Sequence, residues 1–171
     1  MSDGALPAGP AALLVPEAIR LDERAAGKAE AVRACGDVLV ETGAVGPEYV
    51  PAMLEREETV STYIGEGVAI PHATLAGKAA VRRDALCFLR FPDGVDWDGE
   101  TVTVCIGIAA VGDGHLDILA ELAQILLDPE RAAALREATT PDRVLAMLTP
   151  APEDDPTGPD DGTAPAERGE R

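Results

Sequence analysis

The sequence predicts an α/β fold, a mixed β-sheet flanked by helices on both faces. Helical apolar spacing alternates along the chain with short runs rich in Val, Ile, Leu and Phe. Two of those runs, residues 85–91 and 102–109, are apolar almost without interruption rather than at every second position. A strand that is apolar on both faces must be covered on both, and helices above and below the sheet supply that cover. At 171 residues the chain is long enough for one domain to bury about 70% of the surface its unfolded form exposes.

Residues 18–21 form a short apolar segment. Asp22 then suits the N-cap of a helix whose apolar positions recur at Val32, Cys35, Val38 and Leu39 and which ends near Gly43. A second helix follows Pro47, a favourable first-turn residue, and turns Tyr49, Val50, Met53 and Leu54 toward a core. The run Gly65-Glu66-Gly67-Val68-Ala69-Ile70-Pro71-His72 reads as a short strand flanked by glycines and stopped by proline. Segments 85–91 and 102–109 pair as a hairpin, with turn chemistry at Pro92-Asp93-Gly94 and Asp98-Gly99. Asp93, Asp96 and Asp98 around Trp97 lack calcium-loop spacing and read as a solvated hairpin turn. From Asp113 or Gly114 a helix runs to Leu127 with Leu116, Leu119, Leu122, Ala123 and Leu126 on one side, and stops before Asp128-Pro129. A helix from Pro129 to about Ala138 and another capped by Thr140 close the domain.

Residues 1–15 are rich in Ala, Gly and Pro, and residues 150–171 are acidic and Pro-rich. Both ends are expected to be disordered, leaving residues 16–149 as the folded domain. Thirty-one acidic side chains against fourteen basic give a formal charge of −17. That charge repels a phosphate backbone and anionic lipid alike, so nucleic acid and membrane surfaces are excluded as partners. It is compatible with a basic protein partner, and it is also what a solubilising surface looks like. The longest apolar stretch, residues 104–111, is far short of the ~20 that cross a bilayer. The N-terminus lacks the basic-then-apolar order of a secretion signal. Cys35, Cys87 and Cys105 are odd in number and form no C-x-x-C pair, a pattern that reads as reduced and cytoplasmic.

Chemistry concentrates at the two histidines. His72 follows a strand end and an X-Pro bond, so Pro71 restricts where the imidazole points, as presentation of a nucleophile at the carboxyl edge of a sheet requires. His115 stands at the start of a helix, after Gly112 and Gly114, where open backbone N–H groups and the positive dipole end favour an anion. If the two meet across the sheet edge, one can carry a phosphoryl group while the other donates a hydrogen bond to it.

Three stretches carry a family likeness: Met53-Leu54-Glu55-Arg56-Glu57, then residues 61–72 ending in Gly-Val-Ala-Ile-Pro-His, and Ile106-Gly107-Ile108-Ala109-Ala110 followed by Gly114-His115-Leu116 and a leucine-rich helix. Over residues 16–149 these resemble the IIA components of the sugar phosphotransferase system, type 2, the mannitol/fructose class, and most nearly its mannitol branch. The resemblance implies the mannitol-type IIA fold and a cytosolic phosphotransferase that takes a phosphoryl group from HPr and passes it to a cysteine of a IIB domain. It implies His72 as the phosphorylated nucleophile, with His115 and Arg56 stabilising the phosphate, and no cofactor or metal. It implies a role in sugar uptake, mannitol before fructose, although the IIA component itself never touches the sugar. Transfer between side chains needs in-line positioning and charge stabilisation, which Arg56, His115 and a helix N-terminus can supply. Ala73 departs from the pattern, since many members have glycine there. With no IIB or membrane region in the sequence, the acceptor is expected on another chain; Ile64 and Val68, near His72, read either as core or as part of that contact surface. Two other readings compete: a stand-alone regulatory protein signalling through His72 phosphorylation, and a metal-dependent hydrolase, for which no H-x-x-E or H-E-x-x-H spacing is present.

Overall fold

Beside one another in the middle of the sheet lie its two long strands, β4 (Ala85–Trp97) and β5 (Glu100–Ala109), paired antiparallel with Phe88 opposite Ile106 and Leu89 opposite Cys105. They belong to a computed structural model that describes residues 9–111 and 114–148. Three short strands complete a mixed sheet in the order β1-β4-β5-β3-β2: β1 (Ile19–Arg20) joins β4 in parallel, β3 (Val68–Ala69) joins β5 in parallel, and β2 (Tyr63–Gly65) closes the edge antiparallel to β3. The helices are α1 (Lys28–Glu41), α2 (Tyr49–Thr59), α3 (Gly114–Leu126), α4 (Pro129–Arg136) and α5 (Pro141–Leu148).

Cys87 and Gly107 face each other across the central pair and mark one side of the sheet. A β-carbon on Gly107 would lie 2.6 Å from Cys87 Sγ and 3.2 Å from Cys35 Cβ, so α1 rests on this side with no room for another methyl. Arg90, an odd number of residues along the strand, points to the other side. There its Nε–H donates to the Arg136 carbonyl at the end of α4, 2.8 Å away. Helices therefore cover both faces, as the continuous apolar strands required.

The cysteines fill the α1 side. All three are buried and unbridged, and Cys87 donates to the Cys35 carbonyl at 3.4 Å. Hydrogen bonding with the Cys105 thiol, then burial, holds the Cys35 thiol well above its ordinary range. Burial, then the Cys35 thiol, does the same for Cys87. Thiols kept protonated and away from water pack as small hydrophobes.

Several elements depart from expectation. Helix α1 begins at Lys28 rather than after Asp22; Gly27 caps it without a side-chain bond, and the Glu30 carboxylate accepts from the Ala26 N–H at 2.6 Å instead. Strand β4 runs through Pro92-Asp93-Gly94, where proline offers no N–H and the register shifts, and the chain reverses at Asp98-Gly99 with φ of 55° and 96°. Trp97, expected in a solvated turn, is buried, whereas Asp93 and Asp98 are exposed and pair with Arg24 at 3.1 Å and Lys28 at 2.7 Å. On α3 the buried stripe is Ile118, Leu122, Ile125 and Leu126, while Leu116 and Ala123 are exposed. Residues 9–15, expected to belong to the disordered start, contain a 3-10 turn, Gly9–Leu13, with Ala11 and Leu14 buried. Residues 1–8 and 150–171, the remainder of the expected disordered ends, lie outside the described residues, as does residue 149 of the expected domain.

The closeness of α1 to the sheet is testable. Gly107→Ala forces a methyl against Cys35 and Cys87 and is expected to lower stability by about 1–3 kcal/mol in chemical denaturation, with the slope unchanged. Unaltered stability would contradict this packing.

Candidate active site

The short strand β3 is held on both edges. Val68 pairs with Val104 and Ala69 with Cys105. Beyond them Ile70 N–H donates to Thr62 O at 3.0 Å, and Ile108 N–H donates to Pro71 O at 2.9 Å. Pro71 has no N–H to continue the ladder, so the chain leaves the sheet here and places His72, half-buried, at the carboxyl end. The ring turns back on its own strand, with Nδ1 2.9 Å from Ile70 O. A carbonyl only accepts, so Nδ1 carries the proton, and the neutral ring has its lone pair on Nε2. Among the described non-glycine residues only Glu66 and Asp98 have positive φ, so Ala73 occupies its place without left-handed strain.

Before β3 the chain makes three successive left-handed residues, Gly65, Glu66 and Gly67, with φ of 99°, 57° and 74°. The two glycines adopt this at little cost, and Glu66 is held there because Arg136 donates to its carbonyl at 2.7 Å. After His72, the Tyr49 hydroxyl of α2 donates to Ile108 O at 2.6 Å. Burial pushes this phenol up to about 12, opposed by a backbone hydrogen bond from Ala73. Tyr49 thus ties α2 to β5. Two residues beyond His72, the buried Thr74 hydroxyl has no hydrogen-bond partner among the described residues.

Arg56 lies in the last turn of α2, half-buried, and its guanidinium donates to Val60 O at 2.6 Å while Val60 N–H donates to Arg56 O at 3.2 Å. This clasp ends the helix and starts the segment that pairs, through Thr62, with the strand carrying His72. His115 is the second residue of α3. Its side chain lies outside the described residues, as do residues 112 and 113. The backbone placement is nonetheless informative. Because β3 and β5 are parallel neighbours, their carboxyl ends share one edge, and His72 follows the first as the N-terminus of α3 follows the second. A crevice between such ends is where open α/β sheets bind ligands, and the helix N-terminus suits an anion.

Sequence reasoning passed over Glu57. It is buried on the core side of α2, four residues after Met53, and takes hydrogen bonds from Thr62 and from the Trp97 indole. A carboxylate falling on an otherwise apolar helical stripe was the available signal. Beside the site, a groove of 130 Å³ is lined by Ile64, Ile70, Leu119, Ala123, Leu126 and Leu127. Of Ile64 and Val68, each open to either reading, Ile64 is 42% exposed there and Val68 is fully buried core. No group of three or more His, Cys, Asp or Glu among the described residues is placed to hold a metal ion. No described helix is long and apolar enough to cross a membrane.

Known proteins share this arrangement. Residues 12–150 match the family described as phosphoenolpyruvate-dependent sugar phosphotransferase system, EIIA 2. The mannitol-specific phosphotransferase enzyme IIA component of Halalkalibacterium halodurans is 43% identical over 136 residues, 80% of this chain and 94% of that protein. Its counterpart in Staphylococcus aureus is 39% identical over 122 residues, 71% of this chain and 85% of that one. Among solved structures, the IIA of the Escherichia coli complex of enzyme IIAMTL with phosphorylated enzyme IIBMTL aligns with a TM-score of 0.74 at 38% identity, covering 80% of this chain and 98% of that chain. Nitrogen regulatory protein IIA-Ntr from Neisseria meningitidis aligns with a TM-score of 0.71 at 26% identity, covering 81% and 98%. The chain belongs to the EIIA type 2 family of the phosphoenolpyruvate-dependent sugar phosphotransferase system. As a IIA component it is a phosphotransferase that carries a phosphoryl group.

Tyr49→Phe leaves the Ile108 carbonyl without the hydroxyl. It is expected to cost about 1–3 kcal/mol of stability near neutral pH, read by thermal or urea unfolding. In the parent protein the unfolded phenol ionises near 10 and the folded one near 12, so stability is full below pH 10 and falls as pH rises from 10 to 12. The Phe variant should lack that part of the alkaline loss.

Proposed function

We propose that this chain accepts a phosphoryl group from HPr on Nε2 of His72 and passes it to a cysteine of a IIB domain, in the cytoplasm, as the IIA step of mannitol uptake. The observation that supports this most directly is the Nδ1–H bond to Ile70 O, which leaves the lone pair of the neutral ring on Nε2. That lone pair attacks phosphorus as the donor's N–P bond breaks. The phosphorylated ring gains positive charge, which its Nδ1–H bond to the carbonyl stabilises. In the second step the acceptor's thiolate attacks phosphorus, the bond to Nε2 breaks and the ring recovers its lone pair.

Arg56, His115 and the N-terminus of α3 stabilise the charge on the transferring oxygens. For Arg56 this means exchanging its Val60 carbonyl for phosphate. The groove from Ile64 to Leu127, continuous with the site through Ile70, offers an apolar face to each partner in turn. Mannitol-specific relatives at 39–43% identity, against 26% for the nitrogen regulatory protein, favour transport over a stand-alone regulatory role.

Incubation with HPr, its phosphorylating enzyme and phosphoenolpyruvate, followed by intact mass, tests this reading. One phosphate is expected on the wild type and none on His72→Ala. Arg56→Ala and His115→Ala are each expected to slow transfer about 10²-fold, the usual cost of removing one electrostatic donor. A wild type that takes no phosphate would overturn the assignment.

A further inference from the structure

The buried carboxylate of Glu57 is connected to His72 by hydrogen bonds linked through the backbone of Thr62 and of Ile70. Trp97 Nε1–H and Thr62 N–H both donate to Glu57 Oε2 at 3.0 Å, and the Thr62 hydroxyl donates to Oε1. Thr62 O accepts from Ile70 N–H at 3.0 Å, and Ile70 O accepts from His72 Nδ1 at 2.9 Å. Glu57 and Thr62 are each 4% exposed, and no ion pair among the described residues reaches this carboxylate. A buried charge without a counter-ion is costly, and three donors from two separate segments are what make it tolerable.

The arrangement has a geometric consequence. Thr62 begins the stretch that leads into β2, an edge strand of three residues, and by itself such an edge fixes register weakly. Glu57 grips Thr62 by both its N–H and its hydroxyl, and Trp97, at the far end of β4, donates to the same carboxylate oxygen as the Thr62 N–H. The Thr62 carbonyl is therefore fixed where it meets Ile70 N–H, and the Ile70 peptide is fixed where its carbonyl meets the imidazole.

We propose that Glu57 is a positioning residue for phosphoryl transfer: through Thr62 and Ile70 it keeps His72 in the Nδ1–H tautomer, with Nε2 directed to the incoming phosphorus. The proposal rests on His72 being the phosphoryl acceptor. It requires hydrogen-bond acceptors at position 57, not charge. In Glu57→Gln the amide oxygen can take both donors of Oε2, and its NH2 can donate to a reversed Thr62 hydroxyl, whereas Glu57→Met keeps the length and bulk and accepts from none of the three.

The test reads long-range proton–nitrogen NMR spectra of the unphosphorylated, 15N-His-labelled protein at pH 8, alongside the steady-state rate of phosphorylation by phospho-HPr. Glu57→Gln is expected to keep the wild-type tautomer and rate. Glu57→Met is expected to show mixed His72 tautomers and a kcat at least about tenfold lower, with KM for HPr unchanged, because a misplaced nucleophile loses orientation and not docking. Should Glu57→Met fail to fold, Trp97→Phe removes one donor and keeps the ring, and must shift the His72 nitrogen signals in the same direction by less. A folded Glu57→Met or Trp97→Phe with the wild-type tautomer overturns the proposal. So does a Glu57→Gln as impaired as Glu57→Met. Because the tautomer is read before any phosphate is added, a wild type that takes none from HPr would count against the functional reading and leave this result standing on its own.

Discussion

Everything at the site depends on the parallel seating of β3 against β5. Only Val68 and Ala69 belong to β3, yet the pairing is prolonged on one side by Ile70 N–H to Thr62 O and on the other by Ile108 N–H to Pro71 O. Pro71 ends it, because a residue without an N–H cannot extend the ladder. The histidine therefore leaves the sheet at a defined place and in a defined direction. Because the neighbour is parallel, the same edge also receives the start of α3. An antiparallel neighbour would have sent the following helix to the opposite end of the sheet.

Polar anchors reinforce this seating from three directions. Tyr49 reaches from α2 to Ile108, Arg136 reaches from the end of α4 to the left-handed turn at Glu66, and Glu57 joins α2 to Thr62 and Trp97. Tyr49 and Arg136 bond backbone that lies far away in sequence, whereas Glu57 bonds Thr62 five residues on and the distant Trp97 indole. Such bonds add modest net stability, but their loss leaves a buried donor or acceptor unpaired, so they specify one arrangement of the loop more than they strengthen the fold. The apolar layers supply the stability: Phe88, Leu89, Ile106 and Ile108 in the sheet, Leu39 and Met53 on α1 and α2, and Leu122 and Leu135 on α3 and α4 are all fully buried.

Much of this was legible in the sequence because it follows from local chemistry. Continuous apolar runs marked β4 and β5, the proline before His72 marked the strand end, and Asp128-Pro129 and Thr140-Pro141 marked the starts of α4 and α5, where Asp128 and Thr140 accept from Glu130 and Arg143 N–H. What escaped was set by partners distant in sequence. Asp22 has the chemistry of a cap, but α1 starts at Lys28. Pro92-Asp93-Gly94 has the chemistry of a turn, yet the ladder resumes at Val95 opposite Val102, and Trp97 is drawn inward to Glu57. On α3 the leucines suggested the buried side, while the isoleucines at 118 and 125 share it with Leu122 and Leu126, leaving Leu116 and Leu127 on the surface. His72 stood out from its local context alone; the bond from its Nδ1 to Ile70 O depends on how the strand folds back beneath the ring.

With His72 as the proposed phosphoryl acceptor, the backbone carbonyl that accepts from Nδ1 should decide which nitrogen reacts. Phosphorus NMR of the freshly phosphorylated chain, with the nitrogen couplings of labelled His72, tests it most directly. A single phosphohistidine isomer with phosphorus on Nε2 and the proton retained on Nδ1 is the expected result. Phosphorus on Nδ1, or a mixture of the two isomers, would contradict it.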